Sequence, residues 1–223
     1  GINRDAMSVS GSIKFDITLM ALKNFTENEV NYYKEKYLFV CGSTHPGEEE
    51  ILIDSFIDLN KENKHLVLAP RHPERFSEIK ELVNKKNLSN ILYTEISSNP
   101  NIESDVTIVD VIGRLLNFYE IADCVFIGGT LVDHGGQNFL EPAFFNKPII
   151  SGRSTYNFDE ISKKLSDLGL LKFVSNKDEI SSVVENIEAI SDSLKKDTDL
   201  WLNENRGASK FISKKVCKEF NLI

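Results

Sequence analysis

The chain has 223 residues, 41% of them hydrophobic and 27% charged, which fits one large folded domain or two small ones and excludes a collagen-like or wholly disordered polymer. A formal charge of -8 argues against broad attraction to nucleic acid, which depends on Lys and Arg neutralising phosphates, so no nucleic-acid partner is expected. No apolar run approaches the roughly 18 to 20 residues that span a bilayer, and no basic-then-apolar leader opens the chain, so it is expected to be soluble.

Residues 1–36 stand outside the pattern that follows and read as an interdomain linker segment, with a short strand expected at 10–16 and a polar helix at 27–36. Gly1 is not a natural initiator, which suggests a cut or processed fragment. From residue 37 to 223 short β-rich runs alternate with amphipathic stretches, the signature of βα units around a parallel sheet. Strands are expected at 37–41, 65–69, 91–93, 106–109, 124–127, 148–150 and 172–174, mostly as unbroken apolar runs, as when helices cover both faces. Helices are expected at 48–59, 76–83, 157–168 and 178–190, with one or two more between 201 and 220. The tract 97–104, polar and carrying Pro100, reads as a surface loop. Cys41 and Cys124 sit in apolar runs and Cys217 lies far from both, so neither a disulfide framework nor a metal site is indicated. The architecture expected is a Rossmann-like, doubly wound parallel α/β sheet.

Four segments fall where expected parallel strands end, the place where open α/β sheets hold ligands. After the first strand, Ser43, Thr44 and His45 lead through Gly47 to Glu48, either as a helix start open to an anion or as an ordinary turn. After the second, Arg71, His72 and Arg75 crowd one strand end, with two planar donor forks suited to phosphate or carboxylate and Pro73 placed to begin a helix; a surface Arg–Glu network is the bland alternative. After the fourth, Asp110 and Gly113 precede a helix ending near Tyr119, with Asp110 equally readable as a cap and Gly113 as a packing residue. After the fifth, Gly128-Gly129 and Gly135-Gly136 flank a loop leading into a helix that would carry Asn138 and Glu141 one turn apart. Glycine amides there can cradle phosphate, and a carboxylate can accept both hydroxyls of a ribose.

In this order, S-T-H-x-G-E, P-R-H-P-E-R-F and G-G-x-L-V-x-x-G-G-x-N-x-L-E-P resemble the bacterial Kdo (3-deoxy-D-manno-octulosonic acid) transferases, which attach Kdo to the lipid A precursor. Gly11 to Asp16 is similar to the family's interdomain segment, and residues 152–161 to the stretch after the glycine-rich loop. The resemblance implies the C-terminal half of an inverting GT-B glycosyltransferase of lipopolysaccharide biosynthesis, with CMP-Kdo as donor and no cofactor. Mapped residue by residue, Arg71 would meet the nucleotide or phosphate, Gly113 would line the nucleotide pocket, and Asn138 with Glu141 would hold the phosphate and ribose region. Lipid A precursor and the cytoplasmic side of the inner membrane would be met by the whole protein, and the general base would lie in an N-terminal domain, so the isolated chain is expected to be inactive. Arg114 and Gln137 depart from the family's usual acidic residue and His. The competing readings are the donor domain of a UDP-sugar transferase or epimerase, and a non-catalytic nucleotide-binding module.

Overall fold

Leu38 and Val40 of β1 (Tyr37–Thr44) face one apolar cluster while Phe39 and Cys41 face another, so this strand is buried from both sides. A strand with that pattern belongs in a middle layer between helices. The structure, a computed structural model, describes residues 7–16, 22, 24–99, 101–187 and 189–220. Around β1 are β2 (Lys64–Pro70), β3 (Asn90–Leu92), β4 (Val106–Ile108), β5 (Cys124–Ile127), β6 (Ile149–Ser151) and β7 (Leu171–Phe173). They form one 7-stranded sheet, in the order β3-β4-β2-β1-β5-β6-β7, in which every neighbouring pair is parallel.

Helices α2 (Glu48–Asp58), α3 (Phe76–Lys85) and α8 (Lys177–Glu185) cover the Phe39 face through Leu52, Phe56, Ile79, Val83, Ile180 and Val184. The Val40 face is covered by α1 (Glu27–Tyr33), α4 (Tyr93–Ile96), α5 (Leu115–Ile121), α6 (Leu140–Phe144), α7 (Asp159–Leu168) and α9 (Asp192–Glu204). This is the doubly wound architecture expected. Each expected strand has a counterpart; β1 runs on to Thr44, and Tyr93 opens the single turn α4 instead of closing β3.

Residues 10–16 form no strand. Ser12 accepts a hydrogen bond from the Lys14 N–H and caps a 3-10 turn at Ile13–Phe15, whose Phe15 ring meets Trp201 edge-on at 5.3 Å. Asp16 accepts hydrogen bonds of 2.6 Å from both Gly207 and Ser209 N–H, so the segment expected to be a linker is tied to the start of α10 (Ala208–Glu219). The alternation of Ile13 and Phe15 that suggested a strand serves a turn with one buried ring. The helix expected at 178–190 stops at Glu185, because Ile187 packs with the Phe39-side cluster and Ile190 with the opposite one. One straight helix cannot reach both faces, so the chain turns. The expected 201–220 helical region is two helices, the first beginning already at Asp192 under a Ser191 cap.

Candidate functional site

The strand order reverses at β1: β2 and β4 lie to one side of it and β5 and β6 to the other. A crevice opens at such a switch point between the loops leaving β1 and β5. The register of β1 slips between Gly42 and Thr44, with Ser43 at φ +54, a left-handed conformation that bulges the strand end. Gly128 donates to the Gly42 carbonyl at 2.8 Å, and a Cβ on Gly128 would lie 2.2 Å from the Ser43 carbonyl oxygen. Only glycine lets the two backbones approach this closely.

The glycine-rich loop after β5 does hold an anion, but one supplied by the protein. Glu48, fully buried at the first turn of α2, accepts hydrogen bonds from Gly129 N–H at 2.7 Å, from Thr130 and Leu131 N–H at 3.0 Å each, and from His45 N–H at 2.9 Å. Three amides of the glycine-rich loop, those of Gly129, Thr130 and Leu131, are therefore taken by Glu48, and Gly135 and Gly136 are not among them. Thr44 also turns inward, its hydroxyl donating to Glu49 Oε1 at 2.9 Å, and Arg75 donates to the same oxygen at 2.8 Å while bridging to Glu78. Burial opposes the Arg75 charge, yet Glu78 and Glu49 outweigh it and raise its pKa. The fork expected to be free for a ligand is committed inside the protein.

Other predicted side chains stay open. Arg71 and His72 are exposed in the turn after β2, which is pinned to β1 by the Arg71 N–H donating to the Thr44 carbonyl at 2.9 Å. Across the crevice His45 and His134 stack at 4.3 Å with 20° between their planes, and the Gln137 amide lies 3.3 Å from His45 Nε2. Burial, and then the charges of His134, His72 and Arg71, lower the His45 pKa. Arg71 brings a positive charge to this strand end in an acidic protein, suited to an anionic ligand, while the lowered pKa leaves His45 neutral near pH 7.

Asn138 precedes α6 and is not part of it. Its Oδ1 accepts from the Leu140 N–H at 3.1 Å and its Nδ2 donates to Glu141 Oε1 at 3.1 Å, so one amide both caps the helix and aims the carboxylate. Burial raises the Glu141 pKa despite the opposing hydrogen bond. Gly135 and Gly136 adopt φ of +74 and +78, and the Gly135 N–H donates to Ser154 Oγ at 3.1 Å. A Cβ on Gly135 would lie 2.4 Å from the Tyr156 ring, so this glycine lets the loop nest against residues after β6. Gly113, exposed at φ +85, follows β4 at the same end of the sheet but farther from the β1/β5 crevice. Asp110 does not cap α5; its carboxylate accepts from the Thr94 hydroxyl at 2.6 Å and the Thr94 N–H at 3.2 Å. Among the described residues no group of three or more His, Cys, Asp or Glu side chains converges as a metal site.

Glu48, His134 and Ser154 were not singled out from sequence as site builders. Glu48 closes the S-T-H-x-G-E stretch, a signal for a helix dipole, but its amide partners sit 81 to 83 residues away and come to it only through the strand order.

No family model matches the chain. The doubly wound sheet, with its loops converging at the β1/β5 switch point, is the fold of one half of a GT-B glycosyltransferase. Over 227 residues the chain is 32% identical to a bifunctional glycosyltransferase/methyltransferase of Fusobacterium nucleatum, covering 100% of this chain and 34% of that protein. Over 216 residues it is 33% identical to the 3-deoxy-D-manno-octulosonic acid transferase of Haemophilus influenzae, covering 93% of this chain and 50% of the relative. Among solved structures, the C-terminal CMP-Kdo binding domain of WaaA from Acinetobacter baumannii is similar with a TM-score of 0.62 at 23% identity, over 81% of this chain and 91% of that one. The chain belongs to the Kdo transferase family, where it corresponds to the C-terminal domain. It spans half or less of the length of these two curated relatives.

Proposed function

We propose that the chain holds CMP-Kdo at the β1/β5 crevice, as the donor-binding domain of an inverting glycosyltransferase that transfers Kdo to a lipid A precursor in lipopolysaccharide biosynthesis. The observation that carries this reading is the pairing of the exposed Arg71, beside the stacked His45 and His134, with the Asn138-oriented carboxylate of Glu141. Arg71 meets the donor phosphate through its planar fork. Glu141 accepts ribose hydroxyls, its half-buried carboxylate gaining hydrogen bonds beyond the one from Asn138. Ser43, Gly135 and Gly136 shape the walls, and Gly113 lines the outer, nucleotide side.

In the transfer step a hydroxyl of the acceptor sugar attacks the anomeric carbon of Kdo from the face opposite the phosphate, and CMP departs with the bonding pair. Arg71 stabilises the charge that develops on that phosphate. The base that takes the hydroxyl proton and the surface that meets the lipid belong to the whole protein, at the cytoplasmic side of the bacterial inner membrane.

Calorimetric titration of the domain with CMP, against UMP and UDP, tests the reading. CMP should bind in preference to both, and Arg71→Ala and Glu141→Ala should each weaken it about tenfold or more, the loss expected for a charge-assisted hydrogen bond. Unchanged affinity in both folded variants would remove the proposed pocket, and a preference for UDP would move the chain to a UDP-sugar enzyme.

A further inference from the structure

His45 and His134 come from two loops and are held in place from both sides. The His45 N–H donates to Glu48 at 2.9 Å, and the His134 carbonyl accepts from Asn157 Nδ2 at 3.0 Å, so neither backbone waits on a ligand. Gly129, at φ +71, makes room beside both rings: a Cβ there would lie 3.3 Å from His134 Cβ and 3.3 Å from His45 Cδ2. The imidazoles then meet face to face, 4.3 Å apart with 20° between their planes. Gln137, which stands where the family usually has His, holds its amide 3.3 Å from His45 Nε2, and the ring stacked on His45 is supplied by His134 three positions earlier.

Two stacked imidazoles can take one proton but resist a second, because like charges so close oppose each other. The groups around the pair decide which state rests. From the β1 loop and α2, Glu48 is committed to four amides and Glu49 to Thr44 and Arg75. After β2 stand Arg71 and His72, and after β5 the Asp133 carboxylate accepts from Ser154 Oγ at 3.0 Å. Burial, and then the charges of His134, His72 and Arg71, lower the His45 pKa against a smaller pull from Glu49, which leaves the ring neutral near pH 7. An anion beside Arg71 changes that balance. A phosphodiester brings one negative charge, which Arg71 matches; a phosphate monoester brings a second, and the imidazoles are the groups that can answer it. Glycosyl transfer from a nucleoside monophosphate sugar makes this very change, since the anomeric C–O bond breaks and its electron pair stays on the phosphate oxygen.

We propose that the His45–His134 stack takes up one proton from solvent as the phosphate beside Arg71 becomes a dianion, and so stabilises the leaving nucleotide. The inference rests on the reading above for the identity of the ligand. The proton of the attacking hydroxyl goes to the base of the whole protein and is a different one. Calorimetry of the chain with CMP and with its 5′-methyl ester, each in two buffers of different ionisation enthalpy near neutral pH, counts the proton. CMP is the dianion, and the ester keeps the single charge of a phosphodiester. CMP should bind with uptake of up to about one proton per site, the limit that like-charge repulsion sets, and the ester with almost none. CMP affinity should strengthen as pH falls through neutrality, while that of the ester holds steady. His45→Gln and His134→Gln should each lose most of the uptake and lower CMP affinity about tenfold, with little change for the ester. The proton that CMP itself releases is common to parent and variants. His134 is exposed, so its variant should keep the parent's unfolding midpoint. Equal uptake in the parent and both variants, or as much uptake with the ester as with CMP, overturns the proposal and leaves the donor reading standing. Binding of neither ligand removes the donor reading and this inference with it.

Discussion

Glu48 shows how much of the crevice rests on one carboxylate. It gathers four backbone N–H groups from two loops that are far apart in sequence. Charge-assisted hydrogen bonds of this kind are among the stronger ones, and removing a buried acceptor leaves every donor it served desolvated and unpaired. Glu48→Ala should therefore cost about 3–5 kcal/mol of stability, read as a fall in the urea midpoint, and should loosen the β5 loop more than any exposed substitution nearby. A midpoint equal to the parent's would mean that water reaches these amides and that the carboxylate is dispensable. Glu141 is the opposite case: burial disfavours its charge, with one amide of Asn138 in partial compensation. Of the two acids, Glu48 is satisfied by the fold, whereas half-buried Glu141 has the Asn138 amide as its partner.

At the scale of elements, β2 and β4 are joined by more than their ladder. Tyr33 of α1 donates to the Thr107 hydroxyl at 3.3 Å, Thr107 lies 2.8 Å from His65 Nε2, and His65 Nδ1 donates to the Ser104 carbonyl at 2.9 Å. The carbonyl fixes a proton on Nδ1, and in the neutral ring Nε2 is left to accept from the Thr107 hydroxyl. Burial, with the Lys36 charge added, lowers the His65 pKa to about 3. In the unfolded chain the same ring titrates near pH 6.5, so below that pH the unfolded state takes up a proton that the fold refuses. Stability should consequently fall as pH drops from about 6.5 toward about 3, with a slope approaching 1.4 kcal/mol per pH unit from this residue. His65→Gln should show a flatter profile in urea unfolding between pH 7 and 4; an unchanged slope would assign the acid sensitivity to other groups. Strands were legible in the sequence because burial on both faces writes them as unbroken apolar runs, and the 37–41 and 124–127 runs show it plainly. α4 was not, since one turn carries no period, nor was the end of α8, where apolar spacing continues although Ile187 and Ile190 serve opposite faces.

For the whole molecule, the fold class could be read from the sequence, because it depends on element order alone. Which side chains at the crevice are free could not. Thr44 and Arg75 look like ligand groups in a linear reading and become structural once the β1 bulge and α2 turn them onto Glu49, whereas His134 gains its place only by stacking on His45. The commitment of three glycine-loop amides to Glu48 has a further consequence for ligand choice. A loop whose amides awaited phosphate would take up inorganic phosphate and any abundant nucleotide triphosphate, and would be inhibited by both. Here the donors at Gly129, Thr130 and Leu131 already serve Glu48, so in the function proposed above discrimination would fall to the side chains around Arg71 and Glu141. Millimolar phosphate should accordingly leave the apparent CMP affinity nearly unchanged once ionic strength is matched, and strong competition would show that some amide of the loop remains available.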